Sequence, residues 1–275
     1  MNIDGVQIYG LPVSLEEISH QLNKFNIDKI ELSINDQISL SEIKKIKDQY
    51  KIILSGIHCD LNYLNTDKEN ILEFCRINKV PLIIPAVVQE NVLIRPLNIA
   101  RHVPFIFSSL IKIIDRIQEI GLRKIIIPMK GKRFSYFDKQ FWEFVAEEIN
   151  LISKDGVQVG YHNHRLEWLK LGKGQKILDI LHQNLHNEIF FQIDISNLKE
   201  NKDFVIDQLN PYFNRIQSYH LKITKRADEN FFQELLKNNL NMFEHKKIII
   251  EFDQNDHLDF SSRLRWWINI FHQIS

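Results

Sequence analysis

Short apolar runs that favour β-strands alternate with helix-periodic segments along nearly the whole chain. Strands are predicted over residues 5–9, 27–33, 51–58, 80–87, 122–129, 157–162, 188–194, 215–222 and 246–252. Helices are predicted over residues 15–25, 41–49, 67–78, 105–120, 138–153, 174–185, 202–210, 229–239 and 259–272. Repeated strand–helix pairs of this length favour parallel strands joined by right-handed crossovers. Eight or more such pairs in 275 residues predict an α/β fold of the (β/α)8 TIM-barrel type, and we expect one domain over residues 1–275.

The number of strand candidates is nine, one more than an eight-stranded barrel needs. Either 80–87 or 122–129 is therefore expected to lie outside the barrel wall or not to be a strand, and residues 87–135 are expected to hold an insertion. An open, doubly wound sheet is less favoured. The first strand is followed by Gly10-Leu11-Pro12, and no GxGxxG or Walker pattern occurs anywhere in the chain.

The composition excludes several functional classes. The chain has 35 acidic and 35 basic residues and no net charge, which argues against a protein that binds nucleic acid by neutralising phosphates. It has no apolar run of the length that spans a membrane and no signal-peptide pattern at its start. Two cysteines fit neither a disulfide framework nor a zinc knuckle. We therefore expect a cytoplasmic protein.

Polar side chains with metal-binding or acid–base chemistry recur where the predicted strands end. His162 and His164 end one strand, and the alternation of side chains puts both on one face, roughly 7 Å apart. The other strand ends carry Glu31, His58, Gln192, Asp194, His220, Lys222, Glu251 and Asp253. In a (β/α)8 barrel the carboxyl ends of the strands face the active site. Imidazoles and carboxylates that converge there predict a divalent metal site.

Taken singly, these side chains also have structural interpretations. His58 fits a hydrogen-bonded packing residue, Glu31 a partner of a loop lysine, and Asp194 an N-cap. Their recurrence at one end of the predicted barrel favours a shared functional site.

The segment from Tyr161 to Trp168, YHNHRLEW, resembles the YHNHxxEF signature of the xylose-isomerase-like TIM barrels. This family comprises sugar phosphate isomerases/epimerases and includes inosose-dehydratase-like proteins. Weaker likenesses to its other strands occur in the family's order, at residues 5–9, 30–32, 55–58, 194–197, 220–222 and 250–253.

The resemblance implies a site for one divalent ion, which could be Mn, Mg, Co or Zn. The implied ligands are His162, Asp194, His220 and Glu251. The chain departs from the family pattern in three places. His162 stands where many members have Glu, Asn197 replaces a His, and Ile223 replaces an Asp. The first change removes one of two proton-shuttling carboxylates, and the other two weaken the support of the ligands.

The resemblance further implies a metal-dependent isomerase or epimerase that acts on a sugar or sugar phosphate through an enediolate. Glu251 or Glu167 is expected to transfer the proton, and Lys222 to neutralise developing negative charge. The residues expected to bind substrate are His164, His58, Glu31 and Asn163. The expected partner is a small carbohydrate, without nucleic acid or membrane, and a homo-oligomer is left open.

Three alternatives are retained. A dehydratase acting on a keto-sugar or an inosose would use the same site. A degenerate barrel would bind a sugar without catalysis, as the changes at Asn197 and Ile223 suggest. An endonuclease of the same superfamily, acting at abasic sites, is disfavoured by the zero net charge.

Overall fold

The computed structural model describes residues 3–8, 15–34, 38–50, 52–85, 127–129, 132–134, 138–171, 174–198, 202–222, 227–252 and 260–274. In chain order its strands are β1 Gly5–Ile8, β2 Lys29–Ile34, β3 Ile53–Cys59, β4 Leu82–Pro85, β5 Ile127–Met129, β6 Lys132–Phe134, β7 Val159–His162, β8 Lys170–Leu171, β9 Gln175–Lys176, β10 Phe190–Asp194, β11 Ile216–Lys222 and β12 Lys247–Glu251.

The α-helices of the described residues are α1 Leu15–Lys24, α2 Leu40–Tyr50, α3 Leu61–Leu64, α4 Lys68–Asn78, α5 Lys139–Ser153, α6 Ile177–Asn184, α7 Lys202–Leu209, α8 Ala227–Asn238, α9 Leu240–Phe243 and α10 Phe260–Ile274. Short 3₁₀ helices occupy Leu166–Trp168, Ile195–Leu198 and Asn210–Arg215. None of the helices in these ranges is long and apolar enough to cross a membrane.

Eight parallel strands close into a barrel in the order β1, β2, β3, β4, β7, β10, β11, β12 and back to β1. The predicted (β/α)8 fold is confirmed. Of the two doubtful strands, 80–87 contributes β4 to the wall. Within 122–129 the described residues, Ile127–Met129, form β5, which pairs antiparallel with β6 outside the barrel. The helix predicted over 105–120 and most of the 87–135 segment lie outside the described residues.

The helix α5 shows how the sequence builds the outer layer. Its apolar residues recur at spacings of three and four, which puts them on one face of a helix. That face is buried and includes Phe141, Trp142, Val145 and Ile149. It belongs to the apolar layer between the helices and the outward-facing side chains of the strands. A parallel strand covered on both sides is apolar throughout, and all four residues of β7 are buried accordingly.

The helix predicted from residue 174 begins later, at Ile177. The reason is a small antiparallel hairpin, in which β9 pairs with β8. The hairpin follows the 3₁₀ turn at Leu166–Trp168 and uses the backbone of Gln175 and Lys176 before the helix can start.

Candidate active site

Inward-facing side chains meet at the carboxyl ends of the barrel strands. Strand alternation selects Glu31 on β2, His58 on β3, His162 on β7, His220 on β11 and Glu251 on β12. These residues lie near the carboxyl ends of parallel strands of one closed barrel, and their side chains meet in its interior. We call these five residues the His/Glu cluster. Residues predicted from separate strand ends are therefore brought together.

Glu31 lies at the centre of the His/Glu cluster. Its Oε2 is 2.8 Å from Nε2 of His58 and 2.9 Å from Nε2 of His220. The side-chain amide of Gln192 donates to both Glu31 oxygens, at 3.0 and 3.2 Å. Burial alone would raise the pKa of Glu31, but the hydrogen bonds and charge of the two histidines lower it to about 2. Glu31 is therefore an ionised carboxylate, compensated by buried hydrogen-bond donors.

His220 bridges two carboxylates. Its Nε2 faces Glu31, and its Nδ1 lies 3.1 Å from Oε2 of Glu251. Lys222 donates from Nζ to Oε1 of Glu251 at 2.8 Å. Burial alone would lower the pKa of His220, but the hydrogen bonds to Glu251 and Glu31 raise it to about 9. Burial would raise the pKa of Glu251, yet Lys222 and His220 hold it well below its usual value.

His162 differs from the other histidines of the cluster because its buried Nδ1 has no hydrogen-bond partner in the described structure. Its ring centroid lies 4.6 Å from that of His220, 5.3 Å from that of His58 and 5.2 Å from that of His164. Burial, with the neighbouring His220 and His164, lowers the pKa of His162 well below its usual value. His162 is therefore held as a neutral imidazole, the form in which histidine binds a metal.

Two groups of donor atoms among the described residues could hold a metal ion. One consists of His162, His220 and Glu251, and the other of Glu31, His58 and His220. Within each group the candidate ligand atoms lie within 4.8 Å of one another. Imidazole and carboxylate donors suit divalent first-row metals, and His162, whose buried Nδ1 has no hydrogen-bond partner, belongs to the first group. The cluster therefore fits the divalent ion that the sequence predicts.

Asp194, the remaining predicted ligand, ends β10 next to His220 on β11. Its carboxylate accepts a hydrogen bond from the backbone of Ser196 at 2.8 Å. Burial, followed by the charge of Glu251, raises the pKa of Asp194. Asp194 thus shares the electrostatic environment of the cluster without being a member of either donor group among the described residues.

Two predicted site residues lie beside the cluster rather than in it. Asn163 is buried and accepts the backbone N–H of Asp194 at 3.0 Å, which ties the end of β7 to the end of β10. Glu167 is fully buried and accepts from the hydroxyl of Tyr161 at 2.7 Å and from the backbone of His164 at 2.9 Å. Tyr161 belongs to the apolar layer behind β7, so Glu167 supports the loop from outside the barrel.

Two glycines leave room for the apolar side chains that form the floor beneath the cluster. A Cβ on Gly160 would lie 2.4 Å from the ring of Phe190, and a Cβ on Gly56 would lie 2.5 Å from Ile83. Three buried side chains do not belong to the apolar layer under the helices: Ile83, Phe190 and Ile249. These three side chains therefore fill the barrel interior and close it below the His/Glu cluster, as layered side chains do in such barrels.

The cluster opens to solvent on one side. The side chains of Lys222 and Glu251 are 23% and 19% exposed, whereas those of His220 and Glu31 are 0% and 3% exposed. Lys222 and Glu251 are thus the more accessible of these four side chains. Half-buried His164 lies at the end of β7, in edge contact with His162.

The central position of Glu31 and the contact with Gln192 were missed by the sequence analysis, which expected Glu31 and His58 to bind substrate. Gln192 precedes Asp194 by two residues, so alternation alone places both on the same face of β10. Contacts across the barrel, such as that of Glu31 with His220, depend on closure and have no local sequence signal.

A closed barrel of eight parallel strands with a polar cluster at their carboxyl ends defines this protein as a (β/α)8 barrel with a candidate active site. A scan against models of known protein families and a search of the curated proteins found no match.

Solved structures share the fold. A sugar phosphate isomerase/epimerase from Parabacteroides distasonis ATCC 8503 matches with a TM-score of 0.59 at 14% identity, over 98% of this chain and 97% of that chain. A second structure of that description from the same organism gives 0.60 at 15% identity, over 98% and 93%. The 3-keto-D-glucoside 4-epimerase YcjR from E. coli gives 0.50 at 12% identity, over 99% of both chains. The predicted likeness to sugar phosphate isomerases/epimerases is thereby confirmed for the fold.

Proposed function

We propose that this protein is a carbohydrate isomerase or epimerase that uses one divalent metal ion. The observation that carries the proposal is the His/Glu cluster, in which the buried Nδ1 of His162 lacks a partner beside His220 and Glu251. A purely structural cluster would be expected to satisfy its buried polar atoms internally. The structural neighbours, two sugar phosphate isomerases/epimerases and a 3-keto-D-glucoside 4-epimerase, support the same class.

The proposed ligands are His162, His220 and Glu251, with Asp194 completing the set. Two imidazoles among carboxylates favour zinc, cobalt or manganese over magnesium, which prefers oxygen ligands. When bound, such an ion would supply Lewis-acid polarisation of a substrate oxygen.

Of the two glutamates in the cluster, the more exposed one is proposed to transfer the proton. Glu251 lies at the open side of the cluster, whereas Glu31 is closed off beneath it. In the proposed reaction the Glu251 carboxylate takes a proton from the carbon next to the carbonyl of a keto-sugar. The electrons of that C–H bond form the carbon–carbon double bond of an enediolate, and the carbonyl electrons move to oxygen. The ammonium of Lys222 stabilises the negative charge that develops there.

Return of the proton from Glu251 to the neighbouring carbon, with transfer of the hydroxyl proton from the first oxygen to the second, gives the isomer. The epimer requires that a proton donor other than Glu251 protonates the same carbon from its opposite face. The proposed role of His164 is to bind a substrate hydroxyl at the mouth. The contacts of Glu167 with Tyr161 and the loop backbone favour a supporting role over the proton transfer expected from the sequence. Asn163 is likewise proposed to hold two strand ends together rather than to bind substrate.

A dehydratase would use the same residues, with a β-hydroxyl leaving from the enediolate. A non-catalytic sugar-binding barrel is favoured by a different observation. The hydrogen bonds among Glu31, His58, His220 and Glu251 join these side chains to one another. Metal content and turnover separate the candidates.

The test is elemental mass spectrometry of the purified protein before and after incubation with manganese, cobalt, zinc and magnesium, followed by assays with keto-sugars and inososes. We expect about one ion per chain and turnover of a sugar. Glu251→Gln keeps the shape of the side chain but removes the base, so turnover should fall by about 10²–10⁴-fold or more. Glu188→Gln, at a glutamate that is 64% exposed on the outside, makes the same chemical change as a control. Stoichiometric metal without turnover of any sugar would favour the binding barrel, and full activity of Glu251→Gln would refute the assignment.

A further inference from the structure

Glu31 contacts two imidazoles, and each imidazole faces it with its Nε2. Its Oε2 faces Nε2 of His58 at 2.8 Å and Nε2 of His220 at 2.9 Å, and Gln192 donates to that oxygen at 3.2 Å. One oxygen therefore meets three nitrogens in a site closed to solvent. An ionised carboxylate can only accept hydrogen bonds, so these contacts require both histidines to present a protonated Nε2.

The other nitrogen of His220 is then fixed as well. A neutral imidazole has one protonated nitrogen and one lone pair, so protonation at Nε2 leaves the lone pair on Nδ1. That Nδ1 lies 3.1 Å from Oε2 of Glu251, which is also an acceptor. Without a metal ion, a proton on Nδ1 joins these two atoms as a hydrogen bond, and a divalent ion can take the place of that proton. The nearby His162 adds the third donor of the same group.

We propose that Glu31 is the positioning residue of the metal site. It receives the Nε2–H groups of His58 and His220 and leaves Nδ1 of His220 for the ion held with His162 and Glu251. Carboxylates that hold metal-binding histidines in this way fix the tautomer and the ring orientation. The inference rests on the proposed function, because it requires a divalent ion at the cluster.

The competing arrangement makes Glu31 itself a ligand, together with His58 and His220. The hydrogen bonds argue against it. Gln192 donates to both Glu31 oxygens, and Oε2 additionally faces both imidazoles, so the oxygen that lies against the two rings has no lone pair left for an ion. The group that contains His162 has a partnerless buried nitrogen instead.

The first test is a zinc titration of the full chain in competition with a chromophoric chelator. Glu31→Gln keeps the side-chain shape but has only one acceptor oxygen for two imidazoles. We expect its zinc affinity to fall by about 10–100-fold, with one ion still bound at saturation. Glu188→Gln is the matched control and should bind zinc as wild type does. Circular dichroism of each metal-free variant checks that the fold is retained.

The second test needs no variant and reports the ring nitrogens directly. NMR of the zinc-loaded wild-type protein, labelled with ¹⁵N-histidine, should show one imidazole that is protonated at Nε2 and zinc-bound at Nδ1. The ¹⁵N signals of that imidazole should be absent from the spectrum of His220→Gln. Zinc on Nε2 of His220 would overturn the inference, and so would a Glu31→Gln affinity within about twofold of wild type. Wild-type protein that binds no zinc, cobalt or manganese would overturn the proposed function together with this inference. Normal zinc binding by Glu31→Gln would overturn this inference alone.

Discussion

Replacing Gly160 with alanine should destabilise the barrel by pushing on the floor of the candidate site. The added Cβ would lie 2.4 Å from Cζ, 2.5 Å from Cε2 and 2.9 Å from Cε1 of Phe190. The shortest of these contacts is about 1 Å below the ordinary separation of about 3.5–4.0 Å. Phe190 is buried inside the barrel, so its ring has little room to turn away from the added Cβ. Overpacking of this kind costs about 1–3 kcal/mol.

A double-mutant cycle tests whether the ring is the cause. Phe190→Leu removes the Cε and Cζ atoms that the new Cβ would meet, at a cost of about 1 kcal/mol by itself. If the ring is responsible, the double variant Gly160→Ala/Phe190→Leu should be more stable than the two single costs predict, by about 1–2 kcal/mol. Gly174 is the control, because it has a φ of +90° and nothing within 4 Å of its added Cβ. Gly174→Ala should lose stability through backbone strain, and Phe190→Leu should not rescue it.

Thermal unfolding followed by circular dichroism provides the measurement. One kcal/mol moves the melting temperature of a domain near this size by about 2–4 °C, so the coupling is resolvable. A Gly160→Ala protein that melts with wild type would refute the reasoning. Strict additivity of the Gly160 and Phe190 changes would refute it as well.

Two further predictions follow from buried groups outside the cluster. Tyr161→Phe removes the hydroxyl that donates to Glu167 and should lower the unfolding free energy by about 1–3 kcal/mol. The zinc affinity of this variant should equal that of wild type, and weaker zinc binding would show that Glu167 acts on the site. Burial raises the pKa of Cys75 to about 12, and burial, followed by the charge of Asp60, raises that of Cys59 as well. Because the thiolate is the reactive form, Ellman's reagent at pH 8 should label neither thiol in the native protein and both in denaturant, and rapid native labelling would contradict this.

The sequence is sufficient to predict the barrel because each strand–helix pair carries its own periodicity. The nine strand candidates left one ambiguity that the pattern could not resolve. The runs at 80–87 and 122–129 both contain consecutive apolar residues, and pairing decides that β4 enters the wall while β5 forms a hairpin with β6. Pairing between distant segments is set by closure of the whole sheet, which no local window contains.

The candidate site was predictable to the level of strand ends and no further. Alternation placed His162, His220 and Glu251 at the mouth, because each is an inward position of its own strand. The roles of Glu31 and Glu167 depend on three-dimensional contacts instead. Glu31 meets His220 across 189 positions in the sequence, and Glu167 folds back onto Tyr161 behind the strand.

The environments of Glu31 and Glu251 differ although both carboxylates flank one histidine, and this difference fits the separate roles proposed for them. Both carboxylates contact His220, one at each ring nitrogen. Glu31 is enclosed by the barrel and is held by donors on several strands, which suits a group that must stay fixed and ionised. Glu251 reaches the open side with Lys222, where a substrate proton can reach it. A barrel interior provides both environments within one layer of side chains. Floor residues such as Phe190 close the interior below this layer, and the strand ends leave it accessible to solvent above.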